Sequence, residues 1–210
     1  MRAVVLRTHG GPEVLTIEEV DDPTPGRDDI VVDVEHTAIN RADILQRMGM
    51  YPDPRNRSVE IPGLEFAGVV SAVGADVIGW SVGDRAMGIE AGGCYAGKVV
   101  THARQALPVP ASVASADAAA IPEVFLTAWD ALVVQGGLTS GRWALVHAGA
   151  SGVGTAGIQI AKAIGARIAV TCSAGKVDAC RELGADAVSY THLRAHETNN
   201  SNSYAVFCWN

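Results

Sequence analysis

Gly152, Gly154 and Gly157 stand at the spacing G-x-G-x-x-G in the stretch HAGASGVGTAG. In such a loop the first glycine permits a tight turn and the second lets the backbone approach a pyrophosphate. The third lets the following helix pack closely on a strand. A helix that starts there presents free N–H groups and a positive dipole end to phosphates. Gly149, Ser151 and Val153 complete the loop expected to cradle a dinucleotide. Three glycines alone also fit a chance turn, so their surroundings decide. Residues 143–147 (WALVH) read as a buried strand, and residues 155–164 as a helix with Ile158, Ala161 and Ile164 on one face. Residues 167–172 read as a second strand. About 20 residues beyond the glycines, an NAD-preferring site carries Asp or Glu for the ribose hydroxyls. Here that place reads Thr171, Cys172, Ser173, Ala174, Gly175, Lys176, and the first carboxylate is Asp178. A hydroxyl and a cation, Ser173 and Lys176, suit a 2′-phosphate, so NADPH is the expected cofactor. The plainer alternative is that Lys176 is a solvated residue of a first helical turn.

The elements that must hold this loop change character along the chain. Residues 1–6, 15–19, 29–38, 66–73 and 98–102 are short runs rich in Val and Ile, separated by Gly, Pro and Asp turn signals, and read as strands. Residues 40–48 are the one expected helix of that half. Residues 115–135 read as a helix bridging to the glycine-loop region. Many short strands followed by alternating strand and helix predict a β-barrel-like domain over 1–120. A doubly wound α/β domain follows over 121–187.

The 210 residues carry a net charge of −7 without a basic run, which argues against nucleic acid or an anionic membrane as partner. No 18-residue apolar run and no signal-peptide pattern occurs, so a cytoplasmic protein is expected. None of the 4 cysteines sits in C-x-x-C spacing, so neither a disulfide framework nor a zinc knuckle is expected.

Residues 188–210 stand apart. The segment 188–198 (VSYTHLRAHET) resembles, residue for residue, the translation of a transposase-type sequencing-library adapter. The segment 203–208 (SYAVFC) resembles the same adapter's far end. The expectation is a non-native tail of no relevance to the fold. On that reading, only two strands of the nucleotide sheet precede it. Since two such domains need roughly 300 residues, a chain of this length is expected to be inactive and poorly folded.

Several ordered motifs carry a wider resemblance. They are GGPE at 10–13, AINRAD at 38–43, IPGLEFAG at 61–68, VGDR at 82–85, AIP at 120–122, LTA at 126–128 and HAGASGVG at 147–154. In these the chain resembles the medium-chain dehydrogenase/reductase superfamily, and within it the zinc-independent NADPH:quinone oxidoreductase group. The resemblance implies a GroES-like β-barrel followed by a Rossmann domain, and a homodimer in the full-length form. It implies that Asn40 places its amide near the nicotinamide and the acceptor oxygen, that Tyr51 lines the same cleft, and that Thr127 touches the nicotinamide. Simpler roles are open for each: a helix N-cap for Asn40, a turn residue for Tyr51, a helix-face residue for Thr127. Arg41 and Asp43 read as an internal pair or surface charges, and Glu65 as a buried structural carboxylate. Zinc-dependent relatives carry Cys in the place of Asn40 and His in the place of Leu64. Catalytic zinc needs three protein ligands, so no metal is expected, and Cys94 reads as a packing residue. The implied activity is hydride transfer from NADPH to a small quinone or activated enone. A reductase of enoyl-thioester or alkenal double bonds, or a catalytically silent NADPH-binding protein, are the alternatives.

Overall fold

In the computed structural model, the described residues are 1–51 and 60–190, together with the backbone of Val206–Trp209. They fall into two compact units, Met1–Glu123 and Val124–Asn210.

In the first unit, β1 (Arg2–Leu6) and β2 (Leu15–Glu19) form an antiparallel hairpin around a 3₁₀ turn at Pro12–Val14. The remaining strands are β3 (Asp29–His36), β4 (Glu65–Val73), β5 (Arg85–Ile89), β6 (Lys98–His102) and β7 (Ala106–Pro108). They make a curled antiparallel sheet in the order β6-β3-β4-β5-β7. Single bridges from Ala3 to Ala96 and from Leu6 to Glu60 hold the hairpin to the rest of the unit. Alternating residues of β3 and β4 fill the core, where Ile30, Val32, Phe66 and Val70 bury against Cys94 and Val99. This is the β-barrel-like domain that the sequence predicts. The strands β5 and β7 were not legible as strands, because RAMGI carries little β-branching and ALP is three residues ending in proline.

The bridging segment is not one helix. It comprises α2 (Ser115–Ala118), α3 (Pro122–Trp129) and a π-helical turn at Asp130–Gln135. Pro122 makes the break, since a proline suits the first turn of a new helix and disfavours helix in the residue before it.

The second unit holds β8 (Trp143–Val146), α4 (Gly152–Ala163), β9 (Arg167–Thr171), α5 (Val177–Glu182) and β10 (Ala187–Ser189). Strand β9 pairs in parallel with β8 on one side and β10 on the other. The three lie side by side in chain order, which is one half of a doubly wound nucleotide-binding sheet. A fourth strand, β11 (Val206–Trp209), lies antiparallel along the outer edge of β8. The two-strand expectation is therefore corrected: β10 runs through Val188 and Ser189, and β11 covers the edge of β8. Three residues are too few for an alternation to show in β10. The adapter-like segments lie largely outside the described residues. Ile158 and Ala161 of α4, Cys180 of α5 and Ala144, Val146, Ile168 and Val170 of the sheet form one buried core. Among the described residues no helix is long and apolar enough to cross a membrane.

Candidate functional site

The β8–α4 turn brings its predicted residues together. Ser151 is the N-cap of α4, and its Oγ accepts the Gly154 N–H at 3.1 Å. The first-turn amides of Gly152 and Val153 have no acceptor within the helix and point outward from its N-terminus. The expected division of labour among the glycines is corrected. Ala148, not a glycine, takes the left-handed conformation, at φ 56°. A Cβ on Gly154 would come within 2.5 Å of the Ala148 carbonyl oxygen, and one on Gly149 within 2.4 Å of Val170. Gly157 faces Leu132 of the π-helical turn, where a Cβ would meet Cδ1 at 3.2 Å, rather than a strand. At Gly149 and Gly154 the loop is folded too tightly on itself for a side chain, and the first-turn backbone N–H groups of α4 face outward.

Beyond β9 the chain makes a 3₁₀ turn at Ala174–Lys176, flanked by Ser173, and the Lys176 N–H donates to the Ser173 carbonyl at 2.9 Å. This turn brings Ser173 and Lys176, both exposed, into one place at the C-terminal end of the sheet. At the same end the His147 Nδ1 and Thr171 Oγ1 lie 3.0 Å apart.

In the first unit, Asn40 caps α1 (Arg41–Arg47), as its simpler reading predicts. Its backbone N–H donates to Asp43 Oδ2 at 2.6 Å, while its side-chain amide turns away and donates to Glu65 Oε1 at 2.8 Å. The other oxygen of Glu65 accepts the Glu123 N–H at 2.9 Å. Tyr95 donates its hydroxyl to Asp43 Oδ2 at 2.7 Å. Glu65 and Asp43 are 1% and 5% exposed, so desolvation raises both carboxyl pKa values, opposed by the hydrogen bonds each accepts. Burial, and then the bond to Asp43, pushes the Tyr95 phenol upward. The arrangement is a buried acid cluster whose outermost member is a neutral amide.

Sequence reasoning reads Glu65 as a buried structural carboxylate and Asn40 as a cap, but did not bring them together with Asp43 and Tyr95. Asp43 is no surface charge, and Tyr95 was not singled out. One signal was available: an Asp three residues after Asn40 is the spacing of a reciprocal cap. Tyr51 is 40% exposed and follows the far end of α1. Thr127 is exposed on α3 of the second unit. Leu64, in the place where zinc-dependent relatives carry His, is 4% exposed and Cys94 is fully buried in the apolar core. Among the described residues, no three of His, Cys, Asp or Glu converge as a metal site would require.

Residues 26–111 match the alcohol dehydrogenase GroES-like domain. Over 162 residues the chain is 41% identical to the spectinabilin polyketide synthase system protein NorB of Streptomyces orinoci, a match covering 77% of this chain and 7% of that protein. Its fold is similar to that of the Escherichia coli quinone oxidoreductase complexed with NADPH, at TM-score 0.81 and 33% identity, over 90% of this chain and 58% of that one. It is also similar to the CurK enoyl reductase, at TM-score 0.81 and 28% identity, over 89% and 58% of the two chains. The chain thus spans less than a tenth of such curated relatives and about three fifths of such solved chains.

Proposed function

The chain belongs to the medium-chain dehydrogenase/reductase superfamily, and from that premise we propose that its full-length form serves hydride transfer from NADPH to a quinone or an activated enone. The observation that carries this reading is the Asn40–Glu65 pair. Where zinc-dependent relatives place a thiolate, an amide is held at 2.8 Å by a buried carboxylate. An amide offers a hydrogen bond in place of a Lewis acid, so the fitting acceptor is one whose conjugation already draws hydride.

The residues fit the cofactor on their own geometry. The collapsed turn at Gly149 and Gly154 leaves room only for backbone, and the amides of Gly152 and Val153 are oriented to donate to a pyrophosphate. Ser173 and Lys176 would hold the 2′-phosphate, the hydroxyl by one hydrogen bond and the ammonium by charge. NADPH supplies a hydride to the acceptor carbon when bound. The second N–H of the Asn40 amide would be the donor to the acceptor's conjugated oxygen, stabilising the negative charge that reduction places there. Glu65 fixes the rotation of that amide. Thr127 orients the nicotinamide, and Tyr51 borders the acceptor's path. A full-length protein would work as a homodimer on small molecules, in the cytoplasm.

A second reading, reduction of an enoyl thioester, is favoured by one observation: polyketide synthases are among the curated relatives. Following NADPH oxidation with a benzoquinone, a simple enone and a crotonyl thioester separates the two. The expected result is a kcat/KM for quinone or enone at least about tenfold above that for the thioester, a difference of ~1.4 kcal/mol in transition-state stabilisation. The opposite order would transfer the assignment to the thioester. Binding of NADPH without turnover of any acceptor would make the protein catalytically silent.

The amide at Asn40 and the buried Leu64 also predict that purified protein carries far less than one equivalent of zinc, and that a chelator leaves turnover unchanged. Stoichiometric zinc with chelator-sensitive turnover would remove Asn40 from its proposed role.

A further inference from the structure

The face of β9 that packs under the helices carries Ile168 and Val170, both buried, and the alternation of a strand continues that face to Cys172. Cys180 of α5 sits in the same core and is fully buried, while Cys172 packs against that core half-buried. Cys172 lies near enough to Cys180 to act on the ionisation of its thiol. The third described cysteine, Cys94, is fully buried in the other unit. The backbone at Cys172 is anchored, since its N–H donates to the Ser189 carbonyl at 3.0 Å. Between the two cysteines lies the turn that displays Ser173 and Lys176.

We propose that Cys172 and Cys180 are a reversible dithiol–disulfide pair, oxidised by hydrogen peroxide, whose bond closes the turn carrying Ser173 and Lys176. Cys172, the more exposed, reacts first: its thiolate sulfur displaces hydroxide from peroxide and becomes a sulfenic acid, and the thiol proton and hydroxide leave as water. The Cys180 sulfur then attacks the sulfenic sulfur. The S–S bond forms, the S–O bond breaks, and the Cys180 proton leaves with the hydroxide as a second water. Two thiols are oxidised by two electrons and one peroxide is reduced to two waters. Burial, then the neighbouring Cys172, pushes the Cys180 thiol up to about 11, against a lowering by Lys176. The buried partner is therefore the resolving and not the reacting thiol. The effect on the cofactor rests on the NADPH reading above, whereas the bond itself does not. Drawing Cys172 and Cys180 together changes the backbone that aims Ser173 and Lys176, and so acts on 2′-phosphate binding.

Trypsin cuts after Lys176, between the two cysteines, so the bond is read directly. After peroxide treatment in native buffer, non-reducing peptide mapping should show peptides 168–176 and 177–181 joined, and separated again by dithiothreitol. Joining should be faster than in concentrated urea, because the fold sets the proximity. Separate oxidation of each peptide without joining, or joining no faster in urea-free buffer, would overturn the pair. Cys172→Ser and Cys180→Ala must each abolish the joined species, and a joined species that persists in either also overturns it. NADPH affinity of the oxidised protein should fall by about tenfold, the scale of one charge-assisted hydrogen bond, and recover on reduction. A joined protein with unchanged NADPH affinity would refute the effect on the turn. Failure of the reduced protein to bind NADPH would count against the cofactor reading and leave the bond standing.

Discussion

Glu65→Leu is expected to lower the unfolding free energy by roughly 2–4 kcal/mol and to abolish most turnover. Its carboxylate accepts from the Asn40 side-chain amide and from the Glu123 N–H. Leucine would leave both donors without an acceptor, at about 1–3 kcal/mol for each buried group. The relief of taking a carboxylate out of an apolar site offsets part of that cost. Glutamine keeps one acceptor oxygen, so Glu65→Gln should lose less stability than leucine. Urea midpoints read the difference. The pH dependence has a definite sign. Burial raises the Glu65 carboxyl above its ordinary range, so its contribution to stability is fully present below that range. It is lost as pH rises through the folded value, where the native state still holds a proton that the unfolded chain has released. Glu65→Gln should flatten this slope. An unchanged midpoint in the leucine variant, with unchanged kcat, would show that the Asn40 amide needs no such anchor.

Lys176→Glu should weaken NADPH by about 1–3 kcal/mol, between roughly fivefold and over a hundredfold in dissociation constant, while NADH binding stays equal or tightens. The residue is exposed at the end of the turn that follows Ser173, so the substitution changes charge without disturbing a core. Its effect should shrink with salt, as an exposed charge pair does. Titrating both cofactors against wild type and variant measures it. Equal loss of both, or tighter NADH binding by the wild type, would remove Lys176 from the 2′-phosphate.

The parts of the fold written in local periods were legible, and those written in contacts between distant residues were not. Strands β3 and β4 show as short Val-rich runs between turn signals, and helix α4 by its 3.6-residue apolar face, directly in the sequence. The glycine loop was recognisable by spacing, but not which residue turns the chain, because the left-handed position falls on Ala148. The long apolar stretch 115–135 read as continuous helix, although a proline inside it and a π-helical turn at its end divide it in three. Asn40 was found as a cap and as a candidate, yet its partners could not be: Glu65 is 25 positions away and Glu123 a further 58 from Glu65. Tyr51, which the resemblance places in the same cleft as Asn40, follows the end of α1 as an exposed residue of the turn that succeeds it.

Ala148 holds a backbone conformation that costs an L-residue with a side chain about 1 kcal/mol or more, at φ 56°. Glycine would relieve that strain, yet it would also widen the range of shapes open to the loop before folding. With alanine, the neighbouring carbonyl and the close-packed Gly149 and Gly154 leave the turn one shape. A receptor so restricted has little disorder left to lose when an anion arrives. Its selectivity is then set by the fit of the guest and not by the adaptability of the host, and a phosphate that is displaced by an ångström finds no loop that will follow it.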